Sequence, residues 1–162
     1  KHFPGHGSAY TDSHYRRADI TKTWQEKELV PYEYLINKDL VDMIMVAHVT
    51  NTNFDKKYPA SLSKKIINDL LRNKLGFTNV VVTDDLMMKA VVKYFGFENA
   101  ILQAIEAGND ILLFADVKKE QRDISNKVMN IFLKAYAEGK ISKQRINESF
   151  ARIVRLKRKT IY

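Results

Sequence analysis

At 162 residues, with a net charge of +8, 45% hydrophobic and 28% charged residues, the chain has the size and balance of one globular domain rather than a disordered or fibrous segment. A domain of this length buries about 68–70% of the surface its unfolded chain exposes. No apolar run approaches the ~18 residues of a membrane span, no signal peptide is visible, and zero cysteines exclude disulfides and thiolate metal sites.

The first segment, "KHFPGHGSAYTDSH", carries three of the four histidines with a lysine and an aspartate. Pro4, Gly5 and Gly7 keep it out of helix and regular strand. His2 and His6 have the i, i+4 spacing that makes a metal pair on a helix, but Pro4 and Gly5 between them argue against that helix. A metal site of His2, His6, His14 and a carboxylate stays as an alternative. Asp12 and His14, one serine apart, form a better pair. The aspartate can fix the imidazole tautomer and favour its protonated form, which makes an acid–base group. The plain alternative is an Asx-turn with a solvent histidine. The start on Lys1 rather than Met leads us to expect that a true N-terminus, with any targeting signal, has been removed. The compartment therefore stays open between cytoplasm and export.

Residues 23–36 have a helical pattern interrupted by Pro31. Three continuous apolar runs follow at 42–49 ("DMIMVAHV"), 79–83 ("NVVVT") and 110–114 ("DILLF"), as expected of parallel strands covered on both faces. Between them a helix is predicted from 64 to about 75, with Ser63 as its cap, Ile66, Ile67, Leu70 and Leu71 on one face, and Gly76 as its stop. A second spans 98–107 and ends at Gly108. Helices over 119–137 and 143–159 close the chain, the latter with Ile146, Phe150, Ile153 and Val154 at helical spacing. Much of the positive excess sits in "RIVRLKRKTIY", which suits a solvated helix face and a frayed tail. With no zinc finger, RNP-like aromatic pair or phosphate loop, nucleic acid is not an expected partner. The order βαβαβ defines an α/β domain, either an open doubly wound sheet or a piece of a barrel.

Polar residues cluster at the strand exits: His48 near the first, Thr83, Asp84 and Asp85 at the second, Ala115 and Asp116 after the third. In both α/β architectures those ends hold the ligand and the chemistry. Asp84 and Asp85 are each either a cap for the next helix or a carboxylate in the site, and a division of labour between them is expected. His48 is either a satisfied core histidine or a ligand.

"KHFPGHG", then "DSH", "VAHV" and "YPASLSKKIINDLLRNKLGFTNVVVTDDLMMKA", resemble the family 3 glycoside hydrolases, and more narrowly their β-N-acetylhexosaminidase branch. The likeness continues through "AIEAGNDILLFA" to "KISKQRINESFARIVRLK". It implies that residues 1–162 are the C-terminal half of a (β/α)8 TIM-type barrel, with strands 6, 7 and 8 at Asp42, Asn79 and Asp110. Half a barrel leaves open strand edges. The partners expected are therefore the missing N-terminal half-barrel or a second copy, and the fragment alone should be weak or inactive.

The activity this resemblance implies is retaining exo-hydrolysis of terminal β-linked N-acetylglucosamine, on a glycan or a cell-wall muropeptide, as in peptidoglycan recycling. Asp84 then corresponds to the nucleophile and Asp85 to its structural neighbour. His14 corresponds to the acid–base group, oriented by Asp12. Lys1 and His2 match positions that bind the sugar hydroxyls, and His48 and Met88 match positions near the pocket floor. His6 braces the loop. No cofactor or metal is implied, and phosphate stands as an alternative acceptor. Two departures lie in the loop of the acid–base pair: Ser8 replaces the family's usual acidic residue, and "YRRADI" follows "DSH" where a Leu-Pro pair is usual. The rival functions are a non-catalytic glycan-binding or interaction domain of the same fold, a family 3 exo-glycosidase for another sugar, and metal-dependent hydrolysis.

Overall fold

A computed structural model describes residues 1–11, 18–115 and 123–161. Its centre is a run of parallel strands. β2 (Met43–Val46) pairs in register with β4 (Val80–Thr83), from Met43 opposite Val80 to Val46 opposite Thr83. Phe3 bridges Val46 on the outer side of β2, and Ile111 bridges Val82 on the outer side of β4. The order Phe3, β2, β4, Ile111 is also the order along the chain. A doubly wound sheet reverses its order at a switch point, whereas a β/α barrel keeps progressing in this way.

All of β4 is buried, as its continuous Val-rich run predicted. β2 differs: Ile44 and Val46 are buried, whereas Met43 is exposed and Met45 partly so. The predicted strand 42–49 is in fact two. The chain turns at Ala47–His48, where Ala47 N–H donates to Phe3 O and Ala47 O accepts from Ser61 N–H. Beyond the turn, β3 (Val49–Thr50) pairs instead with β1 (Ala18–Asp19), a strand the sequence did not suggest. The predicted strand 110–114 shrinks to the bridge at Ile111, although Ile111 N–H still donates to Val81 O and Leu86 N–H to Leu113 O.

The helices cover the outer face. Pro31 does not interrupt a helix but starts one. A 3-10 turn, Glu26–Leu29, leads into α1 (Val30–Asn37), and Pro31 sits in the first turn, where its missing N–H would have no partner anyway. The helix predicted from 64 forms over Lys65–Lys74, wound as a π-helix, and its end shows the wide repeat as Leu75 N–H donates to Leu70 O. Ser63 serves as predicted: its Oγ accepts from Ile66 N–H and its carbonyl from Ile67 N–H. Ile66, Ile67, Leu70 and Leu71 point into a core shared with Phe3, Ile20, Ile44, Val46 and Val81. Each such side chain contributes roughly 1.5–3 kcal/mol on burial.

The short α2 (Lys89–Phe95) was not anticipated. Gly96, at φ 74°, breaks it from α3 (Phe97–Ala107). Gly108 ends α3 at φ 113°, a conformation that favours glycine, and a Cβ there would lie 2.7 Å from Asn68 Oδ1 and 3.1 Å from Ile67 Cγ2. α3 packs Ala100 and Ala104 against Leu62, Leu86 and Val91 in a second core. α4 spans Ile124–Ala137, a later start than predicted, and α5 spans Lys143–Ile161. Residues 119–122 of the predicted α4 lie outside the described residues. No helix among the described residues is long and apolar enough to cross a membrane.

The lower ends of the strands are held by Asp110. Its buried carboxylate accepts from Arg72 at 2.9 Å and Val81 N–H at 3.0 Å on one oxygen, and from Ser149 at 2.5 Å and Arg152 at 3.0 Å on the other. Arg145 stands 3.7 Å away. Arg72 also donates to the carbonyls of Phe77, Asn79 and Gly108, and Arg145 to those of Ile105 and Asn109 and to Ser149 Oγ. This network ties the π-helix and α5 to the start of two strands.

Candidate active site

The site is assembled where β2 and β4 end. Asp84 follows the last residue of β4, and its N–H donates 3.0 Å to Val46 O at the end of β2. Its carboxylate accepts from Asp85 N–H at 2.8 Å, which orients the side chain. Asp85 is engaged differently. Its Oδ1 accepts from Met87 N–H at 3.0 Å and from Ala115 N–H at 3.1 Å, joining the loops that follow two neighbouring strands. Two adjacent aspartates thus have separate tasks, one bracing loops and one left half-buried at the strand exit.

Phe3 brings the opening segment to the same end. Its N–H donates to Met45 O and its carbonyl accepts from Ala47 N–H, both at 2.9 Å, so Lys1 and His2 stand beside the last residues of β2. Trp24 Nε1–H donates 2.8 Å to Pro4 O and fixes the base of the loop. His2 is half-buried. Burial holds its pKa below the ordinary imidazole value and Asp84 pulls the other way, while Lys1 and His6 add to the lowering. The rings of His2 and His6 meet edge-on with centroids 6.1 Å apart. Asp84 and His2 are therefore electrostatic neighbours. Met88 is buried just ahead of α2, and its N–H donates 3.0 Å to Asp85 O.

His48 is 1% exposed. Its Nε2 lies 2.9 Å from Asp85 O and its Nδ1 2.5 Å from Ser61 Oγ. A carbonyl can only accept, so the proton is on Nε2, and the Ser61 hydroxyl donates to Nδ1. Burial lowers the His48 pKa against the opposing pull of the Asp85 carbonyl and the two aspartates. For both His2 and His48 the folded pKa lies below the unfolded value of about 6.5. Below pH ~6.5 the unfolded chain therefore binds protons that the folded chain refuses, and stability must fall as the pH drops. Urea unfolding from pH 7.5 to 5 should show this loss, and His48→Gln should flatten the slope. A slope unchanged in that variant would show that His48 titrates alike in both states.

Asp12, His14 and Asp116 lie outside the described residues. Among the described residues no three His, Asp or Glu side chains converge as a metal ion would require. The buried Ser8 Oγ has no hydrogen-bond partner among them. Ser61 was not legible in the sequence, since nothing local marks a serine in a 3-10 turn (Ala60–Leu62) as the partner of a histidine 13 residues earlier. The Asp110 network was equally hidden, although three arginines spaced through helical segments were a faint signal.

Parallel strands in barrel order, with carboxylates and imidazoles gathered at their carboxyl ends, define a domain of the β/α-barrel class with its polar cluster on the ligand-binding face. Residues 1–156 match the glycosyl hydrolase family 3 N terminal domain, and the chain belongs to that family. It is 40% identical over 116 residues to a beta-hexosaminidase of Tolumonas auensis, covering 70% of this chain and 34% of the relative. It is 31% identical to beta-hexosaminidase A of Pseudoalteromonas piscicida, covering 98% and 29%. Among solved structures it superposes on a glycoside hydrolase family 3 beta-N-acetylglucosaminidase from a Paenibacillus species with a TM-score of 0.86 at 37% identity, covering 98% of this chain and 30% of that one. CbsA from Thermotoga neapolitana gives 0.85 at 33%, covering 96% and 34%. The chain thus spans about a third of the length of the relatives it matches.

Proposed function

We propose that the chain is the C-terminal half of a glycoside hydrolase barrel that removes terminal β-linked N-acetylglucosamine with retention of configuration. The observation that carries this reading is Asp84: a carboxylate at the carboxyl end of β4, oriented by the next N–H, and set beside His2. The names of the relatives, beta-hexosaminidase and beta-N-acetylglucosaminidase, support the sugar. In the first step Asp84 attacks the anomeric carbon, the glycosidic C–O bond breaks, and the leaving oxygen takes a proton from the His14 imidazolium, which Asp12 orients. In the second, neutral His14 takes a proton from water, whose oxygen attacks the same carbon and frees Asp84. Lys1 and His2 hold the sugar hydroxyls, with Met88 at the pocket floor. The substrate class is an N-acetylglucosamine-containing glycan or muropeptide, consistent with cell-wall turnover. Release of nitrophenol from an aryl N-acetyl-β-glucosaminide, set against the aryl β-glucoside, tests the reaction and its sugar. Turnover of the glucoside alone would overturn the N-acetyl assignment.

The half-barrel reading has its own support. On α4, Met129, Leu133 and Tyr136 are exposed on one stripe, and on α5 Phe150 is 66% exposed. Beside them runs an apolar groove of about 300 Å³ lined by Leu112, Phe132, Ile146, Phe150 and Ile153. Apolar surface of this kind marks an interface. The occupant proposed is the remainder of the barrel. The 162-residue chain by itself should self-associate in light scattering, and the separately produced first half of the barrel should convert it to a 1:1 complex. A monodisperse monomer that ignores the other half would overturn this reading.

A further inference from the structure

We propose that His48 is a positioning residue for Asp84, acting through the backbone of Asp85, with Ser61 setting its tautomer. The proposal rests on the reading of Asp84 as nucleophile and extends it to the device that aims the carboxylate.

Asp85 is the residue whose N–H holds the Asp84 carboxylate, at 2.8 Å. Its own carbonyl receives two donors, His48 Nε2–H at 2.9 Å and Met88 N–H at 3.0 Å. The hydrogen bond that orients Asp84 is therefore made by a residue clamped on its other side by a ring from the end of the neighbouring strand. Both His48 nitrogens are occupied inside the protein and the residue is buried, so the ring has no donor or acceptor left for a sugar. Its effect on the reaction has to pass through the Asp85 backbone.

Ser61 is held in turn. Its N–H donates to Ala47 O at 3.0 Å, and its carbonyl accepts from Asn109 Nδ2 at 2.8 Å. The hydroxyl is thus presented from a fixed turn. As a donor to Nδ1 it leaves Nε2 as the protonated nitrogen, the neutral tautomer that can donate to the Asp85 carbonyl. Asn109, Ser61, His48 and Asp85 so form one chain of hydrogen bonds that ends at the nucleophile. A carboxylate displaced by about 1 Å loses on the order of 10²-fold in rate, so such a clamp has a measurable effect.

The test compares His48→Asn with His48→Gln in the protein with its barrel complete. Asparagine can reach Ser61 but not the Asp85 carbonyl, whereas the glutamine amide brings an N–H to the position of Nε2. kcat is expressed per active site, counted by covalent trapping with a slow fluorinated N-acetylglucosaminyl donor. His48→Asn is expected to lower kcat by roughly 30- to 100-fold with KM changed less than about threefold, and His48→Gln to recover it to within about fivefold. If instead His48→Asn loses trappable sites while kcat per site is unchanged, the histidine is structural only and the proposal fails. A rise in KM at constant kcat would overturn it as well, by placing the ring against substrate. Asp84→Asn run alongside separates the two readings: an active Asp84→Asn, or a wild type that the donor does not label, defeats the nucleophile assignment before His48 is considered.

Discussion

Asp84→Asn is expected to abolish hydrolysis of an aryl N-acetyl-β-glucosaminide, lowering kcat by at least ~10³-fold while leaving the fold intact. The amide oxygen can still accept from Asp85 N–H, so the hydrogen bond that orients the side chain survives the exchange. What is lost is the negative charge and the lone pair that would form the bond to the anomeric carbon. Nitrophenol release and a thermal melt, both on the longest form of the protein, measure the two halves of this statement. An intact melt with lost turnover identifies the nucleophile. Residual activity above about a tenth of wild type would move the role to another carboxylate. No turnover in wild type with a complete barrel would favour a glycan-binding domain.

The second large effect is on stability, and it lies at the opposite end of the strands. Asp110→Asn should destabilise the domain by about 3–5 kcal/mol, the usual result of breaking a buried ion pair by removing one partner. The Asp110 side chain is 0% exposed, and Arg72, Arg145 and Arg152 all approach it. Without its charge three guanidinium groups share one neutral amide, and an amide nitrogen faces donors where an oxygen had accepted. For a domain of this size the loss corresponds to a fall in Tm on the order of 10 °C. Scanning calorimetry with kcat measured at 20 °C separates the effects. Because Asp110 stands at the base of the strands, activity per folded molecule should be unchanged. A Tm within about 2 °C of wild type would mean that Arg72 and Arg145 are satisfied by the carbonyls they already bind and Arg152 by solvent.

How much of this was legible beforehand depended on whether a feature is made locally. Val80–Thr83 could be recognised because a strand buried on both faces must be apolar at every position. Ser63 and Gly108 could be recognised because capping and positive φ are demands on single residues. Pro31 reads as a helix breaker but starts α1, because the same ring that breaks a helix interior is well suited to a first turn, and only the chain before it shows which applies. The run 42–49 reads as one strand because apolar continuity records burial and not which partner provides it. After Ala47 the partner changes from β4 to β1.

The candidate site divides along the same line. Placing Asp84 at a strand exit needed only the end of an apolar run and the direction of the chain, and the long blocks "KHFPGHG" and "GFTNVVVTDDLMM" carried the family resemblance. That His2 feels Asp84, that Asp85 braces two loops, and that His48 is spent on Ser61 and Asp85 could not be found in this way. Those contacts join residues such as His48 and Asp85, 37 positions apart, or Arg152 and Asp110, 42 apart. Val80–Thr83, the helices after Ser63 and before Gly108, the exit at Asp84 and the family resemblance follow from periodicity, single-residue conformational limits and contiguous motifs. Which polar groups meet depends on the assembled fold. The hydrogen-bond partner of a buried group is set by where the barrel brings other strands, and no local pattern encodes that distance.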